Sequence, residues 1–148
     1  TYPISAVLCD SEIMEVIKPG QHGSTFGGNP FAATIAKKAL EIIVDENLSQ
    51  NARNLGQIFR YSISEYIKTS KIVSKIRGKG LLNAIVINDS PDSETAWNIC
   101  LRLRDNGLLA KPTHGNIIRF APPLVITKDQ LLNCIKIIIF TLKEFEPK

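Results

Sequence analysis

The sequence has no apolar run long enough to cross a bilayer. Its longest, Ile137 to Leu142, is interrupted by Thr141 and falls far short of the roughly 20 residues a spanning helix needs. Cysteine and histidine are scarce: Cys9, Cys100 and Cys134 include no CxxC pair, and only His22 and His114 could join them as ligands. Neither a disulfide framework nor a zinc site is supported, and the cysteines read as small core residues of a reducing compartment. No GxSxG is present and no pair of carboxylates stands out, so hydrolase chemistry lacks a nucleophile. The chain opens on Thr1 with nothing resembling a charged and then apolar leader, and we expect a processed chain or a piece of a longer one.

What is present suits a globular domain. The 148 residues are 44% hydrophobic and 22% charged, and a chain of this size buries roughly 70% of its unfolded surface. The net charge of +4 is uneven: residues 1–70 carry 6 basic and 7 acidic side chains, residues 71–148 carry 12 and 7. Lys71, Lys75, Arg77 and Lys79 fall within nine residues. Such a cluster attracts polyanions, which makes a nucleic-acid module a rival reading. No helix-turn-helix, zinc finger or aromatic RNA-binding pattern accompanies it, and charge on a strand at a sheet edge also guards against aggregation.

Along the chain, residues 1–28 are rich in Pro and Gly, with Ser11 to Ile17 able to form a short helix. Asn29-Pro30 starts a helix, with Asn as cap and Pro at the first helical position, running to about Asp45 with a stripe of Phe31, Ile35, Ala39, Ile42 and Ile43. A second helix carries Leu48, Ala52, Leu55, Phe59, Ile63 and Tyr66 and ends near Ser70. Lys71 to Arg77 and Leu81 to Ile87 read as antiparallel strands around Gly78-Lys79-Gly80. Ser93 is expected to cap a helix to Asn106 that buries Ala96, Trp97, Cys100 and Leu103. Leu108 to Lys111 and Asn116 to Phe120 read as strands joined by Pro112-Thr113-His114-Gly115. Thr127-Lys128-Asp129-Gln130 has the capping-box spacing and starts a last helix, with Leu131, Ile135, Ile138, Leu142 and Phe145 inward. The order predicts an α+β layer, a small mostly antiparallel sheet with helices on one face.

Two segments could carry chemistry. In His22-Gly23-Ser24-Thr25-Phe26-Gly27-Gly28-Asn29-Pro30, glycines permit close approach of a ligand, two hydroxyls can donate, and a helix N-terminus follows. A phosphate suits this loop, and so does a plain turn whose hydroxyls cap backbone groups. Arg119, in Ile117-Ile118-Arg119-Phe120, sits in an apolar strand where an unpaired charge is expensive. A substrate carboxylate held by its planar fork and an internal Asp or Glu remain equally open. His114 reads as a surface turn residue.

The segment His22 to Pro30 resembles the loop of class III, pyridoxal-phosphate-dependent aminotransferases of fold type I. Arg77 to Val86, Cys100 to Gly115 and Ile117 to Pro123 resemble the ornithine aminotransferases within that class, whereas the His22 loop is shared with acetylornithine and 4-aminobutyrate aminotransferases. The resemblance implies the C-terminal part of an α/β enzyme: residues 1–70 ending the large cofactor domain with the phosphate loop and interdomain helices, and residues 71–148 forming the small domain. It implies that Ser24 and Thr25 bind the phosphate of pyridoxal phosphate across a homodimer interface, and that Arg119 binds a carboxylate of 2-oxoglutarate or glutamate. The implied substrates are ornithine and 2-oxoglutarate, with no nucleic acid or membrane partner, and the location favoured is cytoplasmic, with the mitochondrial matrix as the alternative. The family's Schiff-base lysine would lie upstream of Thr1, so no catalytic residue is expected in this chain and the chain alone is expected to lack transaminase activity.

Overall fold

The computed structural model describes residues 2–147. The chain divides into two compact units, Thr1–Glu46 and Asn47–Lys148. The first holds a single turn of helix, α1 (Ser11–Met14), and the long α2 (Pro30–Asp45). Asn29 caps α2 as expected: its side chain accepts from the Ala32 amide at 2.9 Å, with Pro30 at the first position. The expected apolar stripe of α2 finds little cover, since Ala32 is its one buried residue and Phe31 is 66% exposed. Tyr2 meets Phe31 edge-on at 5.5 Å.

The second unit is a four-stranded antiparallel sheet with three helices. Its elements are α3 (Leu48–Ile67), β1 (Val73–Lys79), β2 (Leu82–Ile87), α4 (Thr95–Asp105), β3 (Lys111–Thr113), β4 (Ile117–Phe120) and α5 (Lys128–Lys143). The spatial order is β1-β2-β4-β3. Helix α3 packs on β1 and β2, α4 packs on β3 and β4, and α5 lies against α3 and α4. Val73, Ile85, Ile87, Ile118 and Phe120 face these helices and are buried, while Lys75, Arg77, Ala84, Val86, Ile117 and Arg119 alternate to the other face. Ile63, Ile99, Leu103 and Leu142 are fully buried between the layers, and each such side chain contributes about 1.5–3 kcal/mol. Phe59 and Phe120 join helix to sheet with ring centroids 5.6 Å apart.

Several boundaries differ from the sequence reading for local reasons. The first hairpin turns at Gly80-Leu81, not at Gly78 to Gly80, because Gly80 takes the left-handed conformation (φ 54°) and Lys79 still pairs with Leu82. The second hairpin turns through His114-Gly115-Asn116, because Thr113 pairs with Ile117, and both His114 and Gly115 take positive φ. Pro112 and Thr113 therefore belong to β3. An edge strand tolerates Pro112 because its missing N–H can face away from the neighbour. Ser93 is not the cap of α4: Glu94 holds that position without a side-chain bond. Trp97 is 53% exposed, and Ile99 takes the inward place given to it. Cys100 is buried but Cys9 is exposed, so the core reading of the cysteines fails there. The capping box at Thr127 and Gln130 is present with both of its hydrogen bonds. Among the described residues no helix is long and apolar enough to cross a membrane.

Two polar clasps set the second unit. Gly56 on α3 meets the turn after β1 so closely that a Cβ on it would overlap the Gly80 carbonyl. One turn along, Arg60 donates through Nη1 to that carbonyl and to Asn83 Oδ1, both at 2.9 Å, and the buried Asn83 donates back to Gly80 at 3.1 Å. At the far end, Glu146 accepts from Tyr66 Oη at 2.7 Å, from the Lys71 amide at 2.8 Å and from the Ser70 hydroxyl. Partial burial works against its charge, but these donors outweigh it and hold the carboxyl below its ordinary value of 4.5. Burial and the same carboxylate push Tyr66 up to about 12.

An alanine at Gly56 normally favours a helix by about 1 kcal/mol, but here it must push α3 off the hairpin, and a net loss of about 1–3 kcal/mol is expected. Urea unfolding of Gly56→Ala checks this; equal or higher stability would contradict the close approach. For Glu146→Gln, a loss of about 1.5 kcal/mol at pH 7 is expected. Since the native carboxyl titrates below its ordinary value, its contribution is present above that value and lost as pH falls through the lowered one. The gap between wild type and Glu146→Gln in denaturant melts should therefore be fully present above the ordinary carboxyl value of 4.5 and shrink as pH falls below it. A gap independent of pH would refute it.

Candidate functional site

The His22 to Pro30 loop lies in the first unit and forms one wall of a cleft with Tyr2, Ile4 and Ala6. Ser24 turns the loop: its Oγ accepts from the Gly27 amide at 2.8 Å, so the capping reading describes its oxygen, while its own O–H is left free to donate. Gly27 is required there, because a Cβ would sit 2.8 Å from Ser24 Oγ and 2.9 Å from its Cβ. Thr25, at the tip, is exposed, and its hydroxyl has no partner among the described residues. The amides of Thr25, Phe26 and Gly28 likewise donate to no group among them. Asn29 Nδ2 donates to the Phe26 carbonyl at 2.6 Å while its Oδ1 caps α2, pinning the loop to the helix start. The result is a cluster of N–H and O–H donors with no carboxylate inside the loop.

Arg119 lies in the second unit, on the inner strand β4. The expectation that it sits among apolar neighbours where a charge is expensive is corrected: β4 alternates, so Ile118 and Phe120 enter the core while Arg119 points to the open face and is exposed. No Asp or Glu pairs with it among the described residues. Its cross-strand neighbours are Ala84 on β2 and Lys111 on β3. Ala84 is small enough to leave the guanidinium uncrowded on that side.

Of the other residues singled out, His22 is exposed beside the loop and His114 sits in the hairpin turn with φ 51°. Lys75, Arg77 and Lys79 project from the open face of β1, which stands at the sheet edge. What sequence reading missed is Lys111 opposite Arg119. The signal was Gly115, because a turn centred on it sets 111 against 119, 112 against 118 and 113 against 117.

The model of the family "Aminotransferase class-III" matches residues 1–142. The mitochondrial ornithine aminotransferase of Rattus norvegicus is 56% identical over 97% of the chain and is covered over 32% of its own length. Among solved structures, acetylornithine aminotransferase from Elizabethkingia anophelis superposes with a TM-score of 0.85 at 63% identity, covering 93% of this chain and 34% of that one. The ornithine delta-aminotransferase of Plasmodium falciparum superposes equally well, at 0.85, with 45% identity, covering 94% and 36%. The chain thus spans about a third of the length of the relatives it matches. Its fold matches the C-terminal part of those enzymes, as the α+β reading expected, and the chain belongs to the class-III aminotransferases.

Proposed function

We propose that this chain is the C-terminal third of an ornithine aminotransferase, which moves the δ-amino group of ornithine to 2-oxoglutarate and yields glutamate semialdehyde and glutamate. The observation that carries the reading is 56% identity to an ornithine aminotransferase over 97% of the chain. A second reading keeps the fold and changes the amine donor to acetylornithine, favoured by the 63% identity to the Elizabethkingia enzyme. Comparing turnover of ornithine and N-acetylornithine by the complete enzyme decides between them. The name of the rat relative favours the mitochondrial matrix over the cytoplasm.

Pyridoxal phosphate, when bound, supplies the carbonyl that takes the amino group from one substrate and passes it to the other. The donor-only loop fits its phosphate: the Thr25 hydroxyl and amide, the Ser24 O–H and the neighbouring amides carry no competing acceptor charge. In this reading Ser24 shapes the loop and Thr25 makes the outward contact, across a homodimer interface into the neighbouring subunit's site. Leu8 is 94%, Val7 81% and Phe26 77% exposed, apolar surface that the remainder of the enzyme and a second subunit would cover. Residues 1–70 then close the large domain, and 71–148 form the small one, with α3 the connecting helix that packs on it. Arg119 holds a carboxylate of 2-oxoglutarate or glutamate: it is exposed, it has no ion-pair partner among the described residues, and a rigid sheet fixes its backbone.

Thr25→Val in the complete enzyme should weaken retention of pyridoxal phosphate by about tenfold to a hundredfold, the worth of one hydroxyl bond to a charged group. Cofactor absorbance after dialysis reads it, and retention equal to wild type returns Thr25 to a surface role. Arg119→Lys keeps the sign of the charge and loses the two-pronged geometry, so the apparent KM for 2-oxoglutarate should rise about tenfold or more with the cofactor spectrum unchanged. Single-turnover spectroscopy of the two half-reactions tests this; an unchanged 2-oxoglutarate half-reaction removes Arg119 from the site.

A further inference from the structure

Cross-strand register sets one row over the open face of the sheet: Arg77, Ala84, Arg119 and Lys111, on β1, β2, β4 and β3 in turn. The three cations are exposed, and none is in an ion pair among the described residues. The flanking rows add Lys75 and Lys79, and the strand residues of this face include no Asp or Glu. Protection of sheet edges explains Lys75, Arg77 and Lys79 on β1. Lys111 also stands on an edge strand, β3, but edge protection gives no reason for placing it directly opposite Arg119, because like charges opposed across antiparallel strands destabilise the pair. The loop cannot drift to relieve this, since His114 and Gly115 hold the register and Gly115 lies so close to Pro91 that a Cβ would overlap the Pro91 carbonyl. An anion between the two side chains turns the repulsion into a gain.

We propose that Lys111 is a specificity-determining residue, whose ammonium adds a third donor to the carboxylate gripped by Arg119 and so favours the dianionic 2-oxo acid over the cationic amine donor. The inference rests on the reading of Arg119 as the carboxylate holder. Arg119 supplies the planar, two-pronged contact, and Lys111 supplies a mobile point charge from the neighbouring strand. The two substrates differ in charge by three at neutral pH, with 2-oxoglutarate at about −2 and ornithine at about +1. A positive row with no acid in it raises the local concentration of the first and lowers that of the second. Arg77 stands two strands from Arg119, about 10 Å away, and Ala84 fills none of the gap, so Arg77 contributes field without contact.

The test uses the complete enzyme carrying Lys111→Met, Lys111→Arg or Arg77→Met, with Arg119→Lys alongside. Lys111→Met should raise KM for 2-oxoglutarate by about five- to tenfold while KM for ornithine and kcat stay within about twofold. Calorimetric binding of glutarate, which carries both carboxylates without the reactive carbonyl, should weaken by the same factor. Lys111→Arg should restore both values, and Arg77→Met should move them by less than about twofold. Unchanged 2-oxoglutarate and glutarate affinities in Lys111→Met overturn the inference if Arg119→Lys still impairs them. If Arg119→Lys leaves them unchanged too, the reading of Arg119 falls and takes the inference with it. An equal rise of KM for both substrates assigns Lys111 a structural role and also overturns it.

Discussion

The contact between Gly56 and the Gly80 carbonyl decides where everything else in the second unit goes. A helix and a hairpin turn can meet backbone to backbone only where a side chain is missing, and α3 offers that gap one turn before Arg60. Arg60 then satisfies the turn's carbonyl and the Asn83 side chain together, so a buried amide and an inward carbonyl are paired without water. This settles the end of the β1–β2 hairpin and with it the alternation of both strands. Because β4 pairs with β2 and β3 with β4, the same contact sets which residues face away from the helices four strands across. A slip of one residue would send Arg119 into the core and Ile118 out of it.

The open face of the sheet is consequently both the chemically interesting and the electrostatically uncompensated one. Helices α3, α4 and α5 take the apolar face and leave the other to basic and small side chains. Three acids of the second unit are engaged elsewhere: Glu144 pairs with Arg102, Asp105 with Arg104, and Glu146 closes the end of the chain onto the α3–β1 junction. The excess of cations in residues 71–148 is thus a segregation of charge by face. A nucleic-acid module would present a comparable patch, but here the cations are arranged on a small four-stranded sheet whose strands carry no exposed aromatics for stacking bases.

The sequence made the helices legible because their signals are local. Asn29-Pro30 and the Thr127/Gln130 box are short-range chemistry, and the α3 stripe from Leu48 to Ile63 is a periodicity any partner surface would leave visible. What failed depended on partners distant in sequence. Trp97 and Ile99 are both apolar, and only the position of α4 on the sheet decides that Ile99 is covered. Strand ends moved by two residues because left-handed Gly80 and His114 set the turns, and a histidine in that conformation gives no clear sequence cue. The loop of Ser24 and Thr25 was legible as a motif, but only the structure shows Ser24 Oγ committed to the Gly27 amide while Thr25 is exposed.

Arg119 shows how the argument for a residue can be overturned while the residue stays a candidate. A charge embedded in Ile117-Ile118-Arg119-Phe120 looks costly if all four side chains share one environment, yet in a strand half of them do not. Exposure removes the solvation penalty and, with it, the need for an internal acid, so the absence of a paired carboxylate stops being an anomaly. What marks the residue physically is its place on an inner strand, opposite a second cation, at a register that a three-residue turn holds fixed. A surface arginine on a mobile loop would lose much of its binding energy in becoming ordered, whereas this one starts from a backbone paired on both sides, and only its side chain remains to be immobilised.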